Sequence, residues 1–156
     1  MNDAPKIACD GSNLDAVRFS QMLRRIIYTS RSLIGPDPSE LEAIVSSSIR
    51  RNAEVDVTGM MWADDQNFAQ VIEGDPHMVG RTMDRIRADR RHTGISVLLD
   101  RPVSSRQFGG WSMRRAGNDN ESVPGTSFMI GFALGERTPA AGLLYEIVAA
   151  SDGQEA

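Results

Sequence analysis

The sequence predicts an α+β domain on the ferredoxin-like plan, β-α-β-β-α-β-β, with two helices on one face of the sheet and a C-terminal helical extension. Two helix starts carry the same signature, Asp37-Pro38 and Asp75-Pro76, an N-cap followed by proline at the first helical position. Short β-rich segments stand before, between and after these helices. Their order matches the split β-α-β arrangement, in which the first and third strands lie side by side at the sheet centre.

Residues 1–13 are polar, and residues 14–23 have the spacing of a short amphipathic helix. "RRIIYTS" (24–30) is the first strand, and "SLIGPDPSE" is a loop. In the first helix Asp37 caps, Glu40 is its reciprocal partner, and Leu41, Ile44, Val45, Ser48 and Asn52 form one stripe that begins apolar and ends polar. "VDVTGMMWA" (55–63) and "NFAQVIEG" (67–74) form a hairpin around Asp64-Asp65-Gln66. The second helix is expected to run from Asp75-Pro76 to about Arg91. Strands follow over 94–103 and 108–115, then a polar linker over 116–126 and a helix over 138–150 capped by Thr138. This divides the chain into an N-terminal extension (1–22), a folded domain (23–115) and a C-terminal linker and helix (116–156) without a separate effector domain.

Composition narrows the function. One domain with a substantial core is expected of 156 residues. A net charge of −4 without a basic stripe argues against a nucleic-acid binder, and the pairs Arg24-Arg25 and Arg114-Arg115 read as solvated element ends. A lone cysteine, Cys9, allows no internal disulfide, and no apolar run approaches membrane-spanning length. A soluble cytoplasmic protein is expected, with no membrane partner. His77 and His92 are the only histidines, too few to build a metal cluster. There is no G-x-G-x-x-G, P-loop or G-x-S-x-G.

Alternation along the strands puts Ile26, Tyr28 and Ser30 on one face, Phe68, Gln70 and Ile72 on one face, and Trp111 and Met113 on one face. If these faces look toward the helices, Tyr28 and Gln70 are central neighbours. The helices add Ser48 and Asn52, four apart, and Arg85, Asp89 and His92 at i, i+4, i+7 beside Ile86. A plain core disfavours an amide, a phenol and ionisable groups together. A ligand with a flat apolar body and a polar rim, such as a flavin, accounts for all of them.

The strings "RRIIYTSRS", "SSSIRRNAEVDVTGMMW", "FAQVIEGDP", "IRADRRHTGISVLL" and "RQFGGWSM" together resemble a BLUF domain (blue light sensing using FAD), over roughly residues 24–115 and in the family's order. The resemblance implies non-covalent FAD between the two helices. It makes Tyr28 the photoactive tyrosine and Gln70 the glutamine between it and the flavin N5/C4=O edge. Light then drives electron transfer from the tyrosine and proton movement through the glutamine, and leaves a red-shifted ground-state flavin with a rearranged hydrogen bond. The resemblance further implies Asn52 at the flavin imide edge, Ser48 near the Tyr28–Gln70 pair, and Ile44 and Ile86 clamping the ring. Arg85, Asp89, Arg91 and His92 match the region contacting the pyrimidine side and ribityl chain. Trp111 and Met113 match the pair that carries the signal. Arg51 departs from the family, standing where many members have a second asparagine. No substrate is consumed, so the resemblance implies a switch and not an enzyme. Too few residues follow Met113 for an effector domain, so output to a downstream protein or through a homo-oligomer is expected. Two competitors on the same plan are a small acylphosphatase-like enzyme, for which "TSRSLIGPDP" offers an arginine but one glycine, and a light-independent interaction module without flavin.

Overall fold

The computed structural model describes residues 22–63, 65–107 and 113–116, with positions 142 and 145. Its elements are β1 (Leu23–Ser32), α1 (Pro38–Glu54), β2 (Thr58–Ala63), β3 (Asn67–Gly74), α2 (Pro76–Ala88), β4 (His92–Val103) and β5 (Arg114–Ala116). The strands form one sheet in the order β4-β1-β3-β2-β5. β1 pairs antiparallel with β3 and β4, β2 antiparallel with β3, and β5 joins β2 in parallel. The expected α+β class and the central β1–β3 pair are both present.

Both helix starts form as the Asp-Pro signatures predict. The Asp37 carboxylate accepts from the Ser39 backbone N–H at 2.9 Å, and that of Asp75 from His77 and Met78 at 2.9 and 3.1 Å. These bonds satisfy donors that a helix's first turn leaves orphaned. Ile26, Tyr28, Met61, Phe68 and Ile72 pack with Val79 and Met83 of α2 and with Leu41, Ile44 and Val45 of α1, so both helices cover one sheet face. Ile27, Met60, Trp62, Ala69 and Val71 on the other face are also fully buried. Neither helix is long and apolar enough to cross a membrane.

Three boundaries differ from expectation. The strand expected from residue 55 starts at Thr58, because α1 continues to Glu54 and its last turn closes on Asn52, whose carbonyl accepts from Val55 and Val57. Asp56 then turns the chain in the left-handed region at φ 52°. The second helix ends at Ala88, not Arg91: the Asp89 side chain accepts from the Arg91 N–H at 3.0 Å and takes the backbone out of the helix. β4 begins at His92 rather than residue 94, because its bulged pairing with β1 is accommodated by Gly94 at φ 63°. Arg25, expected to be solvated, is buried and ion-paired to Glu73 at 2.6 Å. The helix over 14–23 lies outside the described residues except for Met22 and Leu23, the latter opening β1. Of the strand over 108–115, residues 108–112 lie outside; of the helix over 138–150, only 142 and 145 are described, and both are helical.

Among the described glycines, Gly59 is the one where an added Cβ would come closer than 3.0 Å to another strand's backbone. A Cβ there would sit 2.0 Å from the Val71 carbonyl oxygen on the paired strand. Gly59→Ala is expected to destabilise by about 1–3 kcal/mol, read as a lower denaturant midpoint. An unchanged midpoint would mean β2 can shift on β3 without cost.

Candidate functional site

Between α1, α2 and the sheet lies a cleft open to solvent, with about 590 Å³ of empty space counted out to its mouth. Register builds its floor. Tyr28 of β1 stands directly opposite Gln70 of β3, and Gln70 opposite Met61 of β2, all with side chains toward the helices. Tyr28 O–H donates to Gln70 Oε1, and Gln70 Nε2 donates to Met113 Sδ at 3.6 Å. Tyr28, Gln70 and Met113 are 3%, 4% and 5% exposed. A buried chain of phenol, amide and thioether thus connects the cleft floor to the residue that leads into β5.

The two helices supply the walls. Ile44, Ser48, Arg51 and Asn52 line the cleft from α1, and Arg85 and Ile86 from α2. Ile44, Ser48 and Asn52 share a stripe because they are spaced by four. Asn52 lies in the last turn of α1 and is 2% exposed. Asp89, Arg91 and His92 complete the rim, but not as a continuation of the α2 face, since all three lie beyond its end. The expected helical i, i+4, i+7 row is therefore corrected: the turn after α2, rather than its surface, delivers Asp89 and Arg91, and β4 delivers His92.

His92 is held at both ring nitrogens. Nε2 lies 2.7 Å from the Ile86 carbonyl, which can only accept, so Nε2 carries hydrogen. In the neutral ring Nδ1 then accepts from the Ser30 hydroxyl at 2.8 Å. The ring meets Tyr28 and Phe68 edge-on, at centroid distances of 6.4 and 6.2 Å. Arg91 forks onto Asp89, with Nη2 at 2.6 Å and Nε at 2.9 Å. That pairing holds the Asp89 carboxyl below the usual carboxylate range. Burial disfavours the charged form of Arg85, and the neighbouring Arg51 guanidinium adds to the effect.

Burial pushes the Tyr28 phenol far above its ordinary range, and the Asp89 carboxylate pushes the same way. A raised phenol contributes stability that is complete below the unfolded-state value of about 10 and is lost as pH rises through the folded value. In an alkaline titration the tyrosinate signal assigned to Tyr28, by difference from Tyr28→Phe, is expected to be absent up to about pH 11. A Tyr28 signal with a midpoint near 10 would contradict the burial of this phenol.

Every site residue expected from sequence and described here lines this cleft, except Met113, which joins it through Gln70; Trp111 lies outside the described residues. Sequence reasoning missed Ser47, Met61 and Thr82 as lining residues. Alternation places Met61 opposite Gln70, and Thr82 sits one turn before Ile86, so both were detectable by face.

The donor set suits a flavin. Apolar side chains from two helices face a slot whose floor and rim are polar. An amide NH₂ has two donors and a thioether is a weak acceptor, so the cleft end of Gln70 retains capacity for a ligand carbonyl or ring nitrogen.

Comparison with known proteins points the same way. Residues 23–114 match the family model described as BLUF, sensors of blue-light using FAD. The chain is 31% identical over 119 residues to the photoactivated adenylate cyclase subunit beta of Euglena gracilis, covering 75% of this chain and 13% of that protein. It is 34% identical over 88 residues to the blue light- and temperature-regulated antirepressor BluF of Escherichia coli K12, covering 56% of this chain and 22% of that one. The chain thus spans only a small part of these relatives' length. The dark-state structure of BlrB, a BLUF protein, superposes with a TM-score of 0.63 at 27% identity, over 85% of this chain and 99% of that one. A match running from the first strand to the start of the fifth, over a cleft floored by Tyr28 and Gln70, shows that the chain belongs to the BLUF family of blue-light sensors that use FAD.

Proposed function

We propose that this chain is a photoreceptor module whose switch is the Tyr28–Gln70 pair, and that the rearranged pair signals through Met113 and β5 to a downstream protein. The observation that carries the reading is the buried chain Tyr28 O–H to Gln70 Oε1, Gln70 Nε2 to Met113 Sδ. Asn52 holds the flavin imide edge and Gln70 the N5/C4=O edge. Ile44 and Ile86 clamp the ring, and Asp89, Arg91 and His92 face the pyrimidine and ribityl side. Ser48 supports the pair, and Trp111 with Met113 relays the signal.

Bound FAD supplies absorption of blue light and an electron-accepting excited state. The chain supplies the rest. In the dark Tyr28 Oη keeps its proton, because burial opposes the phenolate. A phenol that has given up an electron is strongly acidic, and Gln70 Oε1 is already bonded to its hydrogen. Once that proton has moved, the amide can present a donor where it presented an acceptor, by rotating or by tautomerising. Rotation swings Nε2 away from Met113 Sδ, and tautomerisation removes one of its two hydrogens, so either alters the bond through which a proton event at the cleft floor reaches β5. No bond in a substrate is broken, so the event is a switch.

Relatives of this chain are named as subunits of a photoactivated adenylate cyclase. The signal passes to a downstream partner or through a homo-oligomer, from a soluble cytoplasmic domain spanning 23–115 with its extensions 1–22 and 116–156.

The test is the visible spectrum of purified protein in the dark, under blue light and during dark recovery. A flavin spectrum that shifts slightly red and returns supports the reading. Colourless protein that FAD does not reconstitute favours the flavin-free interaction module, and phosphatase activity in that protein favours the acylphosphatase-like enzyme.

A further inference from the structure

β4 and β5 lie at opposite edges of the sheet, so the chain between them has to cross β1, β3 and β2. It crosses on the face away from the helices, where register sets Arg25, Glu73 and Thr58 in one row. All three hold the crossing chain. Arg25 Nη2 donates to the Ser105 carbonyl at 3.5 Å, Glu73 Oε2 accepts from the Gln107 N–H at 2.8 Å, and Thr58 Oγ1 accepts from Arg106 Nη1 at 2.9 Å. Arg106 also donates to the Glu73 carbonyl at 3.4 Å and to Asp56 Oδ2 at 3.0 Å. The Glu73 side chain is fully buried, and Arg25 Nε occupies its other carboxylate oxygen. A buried carboxylate bonded at both oxygens is a fixed point for the chain it holds. Only residues 108–112 separate this clasp from Met113, which packs on the helix-facing side and bonds Gln70. The six peptide steps from Gln107 to Met113 span at most about 22 Å, so a shift at the clasp is felt at Met113.

We propose that Glu73 is a positioning residue of the switch: with Arg106 and Gln107 it sets the reach of Met113 to Gln70, and so the rate of return to the dark state. The inference rests on the proposed Tyr28–Gln70–Met113 switch and adds a control point on the opposite face of the sheet. The dark arrangement includes the bond from Gln70 Nε2 to Met113 Sδ, so return from the lit state has to restore it. A loosened clasp lets Met113 spend less time where that bond can form, and return slows.

The experiment follows dark recovery of the visible spectrum in FAD-loaded full-length protein. It compares the parent, E73Q, R106Q, M113L, and the two double variants that combine M113L with each of the others. In E73Q one amide oxygen faces two donors, the Arg25 guanidinium and the Gln107 N–H, so one bond is lost. R106Q removes the fork onto Thr58 and Asp56 and spares the buried pair, which keeps the inference testable where E73Q does not fold. E73Q and R106Q are each expected to keep the red shift and to slow recovery about fivefold, about 1 kcal/mol in the barrier. M113L, which has no sulfur acceptor, should slow recovery similarly, and adding E73Q or R106Q to it should change the rate no further. A merely structural clasp lowers the melting temperature and leaves the recovery rate of E73Q and R106Q at the parent value, which overturns the inference. Slowing that adds in full on top of M113L also overturns it, because the clasp then acts elsewhere than through Met113. A parent protein without any light-induced shift overturns the switch itself, and this inference with it.

Discussion

Gln70→Leu is expected to abolish the light-induced red shift completely while the protein stays yellow. Leucine keeps the size of the side chain but offers neither acceptor to Tyr28 nor donor to Met113, the two bonds through which Gln70 is tied. The remaining cleft lining, Asn52, Ile44 and Ile86 included, is untouched, so flavin is retained. The substitution also strands the Tyr28 hydroxyl, which is almost wholly buried. An unpaired buried hydroxyl costs about 1–3 kcal/mol, so the melting temperature should fall as the shift vanishes. Light-minus-dark absorption on matched flavin content checks the first effect, and a thermal melt the second. A full red shift in the variant would remove Gln70 from the switch.

The largest expected stability effect lies on the opposite face of the sheet. Arg25 Nε donates to Glu73 Oε1 at 2.6 Å, and the two side chains are 4% and 0% exposed. The second carboxylate oxygen accepts from the Gln107 backbone N–H at 2.8 Å, so the pair also fixes the loop after β4. Arg106 reinforces that loop by donating to Thr58 Oγ1 at 2.9 Å and Asp56 Oδ2 at 3.0 Å. Removing one partner strands a buried charge. Glu73→Leu alone is expected to destabilise by about 3–5 kcal/mol. The double change Arg25→Met with Glu73→Leu should lose much less, because replacing a buried pair by apolar side chains leaves no orphaned charge. Urea unfolding of the two single variants, the double variant and the parent reads the difference. A double variant as unstable as the sum of its single changes would show that the bonds to the loop, rather than the charge pairing, hold this face.

The strand–helix order was readable because each helix announces itself with Asp-Pro and each strand with β-branched and aromatic residues. The Tyr28–Gln70 juxtaposition was readable because alternation puts both on one face and the split β-α-β plan makes β1 and β3 neighbours. The helix ends were not. Asp89 and Arg91 continue the periodic pattern of α2, and only the side chain of Asp89 bonding the Arg91 N–H stops the helix. Periodicity carries no signal for that competition. The burial of Arg25 was illegible for a related reason. Beside Arg24 it reads as a solvated pair, and Arg24 does reach the surface carboxylate of Asp100 at 2.7 Å. But neighbours in a strand face opposite ways, and the partner of Arg25 lies 48 residues away. A buried charge can be recognised only when that distant partner is known.

The central claim is that light rearranges the hydrogen bonds of the Gln70 amide to Tyr28, by rotation or by tautomerisation. The most direct measurement is a light-minus-dark infrared difference spectrum of flavin-loaded protein with carbon-13 at the glutamine side-chain carbonyl, with Gln70→Leu as the control. The account predicts an isotope-sensitive carbonyl band that shifts on illumination, returns in the dark, and is missing in the Gln70→Leu protein. A visible red shift without any isotope-sensitive carbonyl change would contradict it, and would place the switch elsewhere in the cleft.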